Sequence, residues 1–116
     1  MKVTVSVPRH VSSIPDVHRY IATLASRMLE ARGDNSFPRS DVPYTPNDGD
    51  PTFWTLDAGN DWKVQFPEGT VSSFEVWHRY QLNDEARKDE PNAVNDAVKA
   101  LAGLLAYRLG GTVTVQ

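Results

Sequence analysis

Three histidines and a run of aspartates are the residues here whose types could do chemistry. His10 follows Arg9 just ahead of a predicted helix start, a place where free backbone N–H groups can receive an anion. His78 lies on the apolar side of the alternating stretch Phe74–Leu82, which reads as a core imidazole hydrogen-bonded to backbone rather than as a catalytic base. Glu75 is three residues away, and an odd spacing on a strand puts it on the opposite face, so the two make no dyad. His18 falls off the apolar stripe of the first predicted helix and reads as solvated. Asn47-Asp48-Gly49-Asp50 is rich in oxygen donors like part of a calcium loop, yet the full loop frame and its closing glutamate are missing. The chain has no cysteine, which removes disulfides, thiolate metal sites and cysteine nucleophiles together. It also lacks a phosphate-binding glycine loop, a Gly-x-Ser-x-Gly elbow and histidine pairs at metal-binding spacing. Nothing nominates a nucleophile and a base together. The chain therefore reads as non-enzymatic, with no cofactor and no metal site. The Arg9-His10 loop is what an enzymatic or anion-binding alternative would have to use.

The elements that position these residues are legible from periodicity. In Phe74–Leu82, Phe74, Val76, His78, Tyr80 and Leu82 face one way, while Glu75, Trp77, Arg79 and Gln81 face the other. Residues 2–7 alternate in the same way before Pro8 ends the strand. Ser13-Ile14-Pro15-Asp16 has the form of a capping box, predicting a helix over about 14–32 with Val17, Ile21, Leu24 and Met28 as its apolar stripe and Gly33 as its stop. Residues 33–51 hold four prolines, two glycines and four aspartates without periodicity, and read as a long loop anchored by Phe37, Val42 and Tyr44, with a loose tip at Asn47–Asp50. Strands at Thr52–Asp57, Trp62–Phe66 and Val71–Leu82 follow, the last two joined by the Pro67-Glu68-Gly69 turn. Asn83-Asp84-Glu85 caps a short turn reaching Lys88. Pro91 then opens a helix striped by Val94, Val98, Leu101, Leu105 and Leu109 and widened by Ala97 and Leu104. Gly110-Gly111 ends it, and Thr112–Gln116 is a final strand.

The order is β-α-(long loop)-β-β-β-α-β. It predicts a single α+β domain over residues 1–116, a two-layer sandwich with both helices on one face of a mostly antiparallel five-stranded sheet. The final strand is expected beside the first. The second sheet face is then uncovered, and its positions are polar except for Trp77, which stands between Glu75 and Arg79 like an interaction hot spot. The alternative is that the 33–51 loop folds across that face and buries Trp77.

Net charge is −3, and Gly33–Asp61 carries six aspartates against Arg39 alone, while residues 9–32 are net positive. These two regions can attract each other within the fold; the acidic loop can also serve a basic partner. Single-stranded RNA readers stack bases on sheet aromatics, but only one aromatic is evident here, the glycine-aromatic signature is missing and the charge argues against nucleic acid. The N-terminal stretch lacks the continuous apolar region of a secretory signal and no run reaches membrane-spanning length, so a cytoplasmic protein is expected.

The expected function is a small protein-binding module that blocks a partner, of the immunity-protein or phage- or mobile-element-encoded inhibitor kind, with contacts from Trp77, Glu75, Arg79, Tyr44, Asp48 and Asp50. A small phage or virion assembly protein, self-associating as a homodimer or larger homo-oligomer through a sheet edge or the Trp77 face, is the second expectation.

Overall fold

The computed structural model describes residues 1–31, 45–47, 50–57, 59–67, 70–87 and 89–116. The strands are β1 (Val3–Ser6), β2 (Thr45–Asn47), β3 (Asp50–Thr55), β4 (Trp62–Gln65), β5 (Ser73–His78) and β6 (Thr112–Val115). The helices are α1 (Arg9–Ser12), α2 (Val17–Ala31) and α3 (Ala93–Leu109). The fold is the expected α+β one, with an open, wholly antiparallel sheet of order β2-β3-β4-β5-β1-β6. β6 pairs beside β1, as the sequence predicts.

One apolar row crosses the sheet: Trp54, Val64, Val76 and Val3 are successive cross-strand neighbours, with Val115 next on β6. Val5 and Phe74 pair one step along. α2 and α3 pack on each other, α2 against β3 and α3 against β1, β5 and β6. Their buried side chains complete the core, with Ile21, Ala22, Ala25 and Leu29 from α2 and Val98, Leu101, Ala102, Leu105, Ala106 and Leu109 from α3. Burial of these apolar surfaces is the main force holding the two layers together.

Several boundaries differ from the sequence reading for identifiable reasons. The expected Arg9–Ser12 loop is a one-turn helix, because the Ser12 and Ser13 hydroxyls donate to the carbonyls of Arg9 and His10 at 2.7 and 2.8 Å. Ser13 is thereby used and does not cap the next helix. α2 begins instead at Val17, after Asp16 in a left-handed conformation (φ 55°), whose carbonyl accepts the Tyr20 N–H. On α2 the buried stripe runs through Val17, Ile21, Ala22, Ala25 and Leu29, while Leu24 and Met28 only flank it. The two alanines are small side chains within the buried stripe. The Thr45–Asn47 and Asp50–Pro51 backbone, expected in the loop, forms β2 and the start of β3, with a register irregularity between Pro46 and Asn47. Proline is compatible with an edge strand, and β2 is one. Phe37, Val42 and Tyr44 lie outside the described residues.

α3 is capped at both ends. The Asn92 side chain accepts the Asn95 N–H at 2.8 Å, so the cap is Asn92 and Pro91 lies before the helix. At the other end Gly110 is left-handed (φ 70°), and the Gly111 N–H returns to the Ala106 carbonyl at 2.8 Å. Asn95 is buried, and its Oδ1 accepts the Leu82 N–H at 2.9 Å, pinning the start of α3 to the segment that follows β5.

β5 stops at His78 rather than continuing to Leu82. The Gln81 N–H closes a turn onto the His78 carbonyl, and the Gln81 side chain swings inward to donate to the Met1 carbonyl at 2.8 Å. Gln81, expected on the open face, is therefore buried, and Tyr80, expected in the core, is 59% exposed. Among the described residues no buried side-chain nitrogen or oxygen lacks a hydrogen-bond partner, and no helix is long and apolar enough to cross a membrane.

Candidate functional site

The sheet face away from the helices carries an aromatic cluster drawn from three strands. In the β3–β4–β5 ladder, Thr55, Lys63 and Trp77 form one outward row, and Phe53, Gln65 and Glu75 form the next. Lys63 stands directly across from Trp77 and diagonal to Phe53. Its ammonium lies 5.0 Å from the Trp77 ring centroid and 5.2 Å from that of Phe53, and the two rings sit 6.3 Å apart at 59°. Each cation–π contact at such a partly exposed place contributes roughly 0.5–1 kcal/mol. The three side chains brace one another, and Trp77 and Phe53 are each half-buried. Phe53 was missed by the sequence reading, although the alternation that puts Trp54 inward puts Phe53 outward.

The face is not evenly open. Thr55, expected at the surface, is buried, whereas Lys2, Ser6, Gln65, Thr112 and Thr114 are exposed. Glu75 is half-buried and its carboxylate meets the Lys2 ammonium at 3.3 Å across the β1–β5 pair, so its partner is Lys2 and not Arg79. Arg79 lies beyond the strand, in the His78–Gln81 turn, exposed and with its guanidinium 5.3 Å from the Tyr80 ring centroid. Trp77 and Glu75 thus share the sheet face, and Arg79 sits at its end. Tyr44 and Asp48 lie outside the described residues, and Asp50 is placed only as backbone at the start of β3.

The histidines are dispersed. His78 is half-buried, edge-on to Trp62 at 4.7 Å, and its Nδ1 accepts the Tyr80 N–H at 3.0 Å. That bond puts the proton of the neutral ring on Nε2. His18, expected to be solvated, packs on Phe66 at 4.2 Å, with Nε2 at 3.4 Å from the Thr70 carbonyl oxygen. Arg9 and His10 are exposed on α1, and a single helical turn carries little dipole to hold an anion. The loop aspartates that would have to face His10 lie outside the described residues, apart from the Asp50 backbone. Among the described residues no three histidine, aspartate or glutamate side chains converge on a point where a metal could sit.

No family model, no curated protein and no solved structure matches this chain.

The outer face can offer two mutually tilted aromatic rings with a cation against both and the Lys2–Glu75 ion pair beside them. That is contact chemistry, suited to recognition.

Proposed function

We propose that this chain is a small, non-enzymatic, protein-binding module whose contact surface is the outer sheet face centred on Trp77. The observation that carries this reading is the Phe53–Lys63–Trp77 cluster. A tryptophan held in place by its neighbours loses little side-chain freedom when a partner covers it, and such residues dominate binding energies. A polar rim with exposed Gln65 and the Lys2–Glu75 pair surrounds it, the usual surround of a protein contact. Lys63 stands against both rings and the net charge is −3, which favours a protein partner over stacked bases. The module acts in the cytoplasm by blocking its partner, in the manner of an immunity protein or a phage- or mobile-element-encoded inhibitor.

The test is affinity capture from a host lysate with wild type and Trp77→Ala in parallel, followed by titration of the purified partner. Loss of the hot spot weakens binding by at least 2 kcal/mol, about 30-fold. A Trp77→Ala chain that folds normally and keeps full affinity for every captured partner removes the reading. Salt-sensitive binding of single-stranded RNA at micromolar protein would replace it with a nucleic-acid function.

A further inference from the structure

The two edges of the sheet are built differently. At the β2 edge, Pro46 and a register irregularity interrupt the strand, both devices that keep an edge from pairing with another chain. The β6 edge has neither. Thr112–Val115 is uncharged, regular and exposed along its whole length. Its phase against β1 is fixed at one end, where Lys2 and Gln116 exchange both backbone hydrogen bonds at 2.8 and 2.9 Å. Antiparallel pairs alternate, so Thr114 and Thr112 turn their N–H and C=O groups toward β1, while Val113 and Val115 turn theirs outward. The outward groups are the hydrogen-bonding template of a further strand.

Apolar surface lies along this edge and on α3, the helix that packs against it. Val113 and Val115 face the helix layer yet are 36% and 48% exposed. Leu104 and Tyr107, on the last turns of α3 before β6, are 45% and 90% exposed. The other large apolar or aromatic side chains left exposed among the described residues are Tyr20 and Tyr80. Arg108 is the one charged side chain in residues 103–116, so two copies meeting here place little like charge together.

We infer that β6 is the interface for a second copy of this chain, joined antiparallel about a two-fold axis through Thr114. That axis sets Val113 opposite Val115 of the copy in a hydrogen-bonded pair, and the same pair recurs on the other side of the axis. Valine meets valine on the helix side and threonine meets threonine on the outer side. The axis is perpendicular to the sheet, so both helix layers stay on one face and the sheet runs on from one protomer into the next. A self-complementary edge is what an isologous dimer requires. This surface is separate from the Trp77 face and does not depend on that face binding a partner.

Sedimentation velocity from about one to several hundred micromolar tests it. Wild type should move from the protomer mass of 12.9 kDa toward twice that value, and Val113→Lys should weaken association at least tenfold. Trp77→Ala should leave association unchanged. Hydrogen exchange on wild type gives a readout that needs no variant: protection at the Val113 and Val115 amides should rise with protein concentration. A wild type that stays monomeric throughout overturns the inference. So does a dimer indifferent to Val113→Lys, a dimer lost with Trp77→Ala, or exchange at the two valine amides that does not vary with concentration.

Discussion

Replacing Gly111 by alanine would bring a methyl group into overlap with the backbone carbonyl oxygen of Ser6. The obstacle is main chain in a central strand, so no side-chain rotation relieves it. Ser6 and Thr112 are paired across β1 and β6, and Gly111 is where the chain leaves α3 and enters that pairing. Two responses are open: the α3–β6 junction shifts, or β6 peels from β1. Overpacking of this kind costs about 1–3 kcal/mol. Peeling sets a ceiling of similar size, because all of β6 is exposed and detaching it sacrifices ladder hydrogen bonds worth about 1 kcal/mol each, part of which is returned as chain entropy. A loss of about 2 kcal/mol is expected, which for a domain of this size lowers Tm by roughly 10 °C. Thermal melts at a dilution where the chain is monomeric measure it. Gly103→Ala is the control: a Cβ there meets open space on an exposed helical turn, so the change should stabilise by roughly 0.5–1 kcal/mol. If Gly111→Ala melts within two or three degrees of wild type, the close approach at Ser6 does not constrain the junction and the reasoning fails.

Two further outcomes follow from side chains described above. Asn95→Ala leaves the Leu82 N–H without its acceptor and should cost about 1–3 kcal/mol in urea unfolding; a change below 0.5 kcal/mol would show that Asn95 does not hold α3 to the segment after β5. A double-mutant cycle on Lys2 and Glu75 should give a coupling under about 1 kcal/mol that fades in 1 M salt, because the lysine is largely exposed; a larger, salt-resistant coupling would contradict the exposed geometry.

The architecture was legible because every central strand sorts its residues into two unlike sets. Val3, Val64, Phe74 and Val76 announce the core face, and the Val98, Leu101, Leu105 and Leu109 stripe announces α3. What was not legible depends on contacts at a distance. That β5 yields to a turn after His78 is settled by Gln81 reaching Met1, which no window around residue 80 contains. Ala22 and Ala25 are buried because α2 packs against α3 and β3, and a reading that weights bulk passes over alanine. Edge position escaped as well. Val113 and Val115 alternate like core valines and are exposed because, among the described residues, no strand lies beyond β6 in the sheet. At the candidate site, Trp77 was visible as an aromatic among polar neighbours. Its braces were not, since Phe53, Lys63 and Trp77 come from three strands and only their register unites them.

The place of β1 between β5 and β6 also governs how the protein comes into being. Val3 pairs with Val76 on one side and Val115 on the other, so β1, although it comes before every strand it pairs with, is among the last that can be seated. The β3–β4–β5 meander needs only neighbouring sequence and can assemble early, whereas closing β1 into the sheet spans nearly the whole chain, the kind of long-range pairing that slows folding. Until α3 and β6 have left the ribosome, the valines of β1 have no complete site to occupy. A nascent chain therefore carries β1 as an unpaired, alternating strand until β5 and β6 have emerged, and truncations that remove β6 should leave β1 with one open side and a tendency to aggregate.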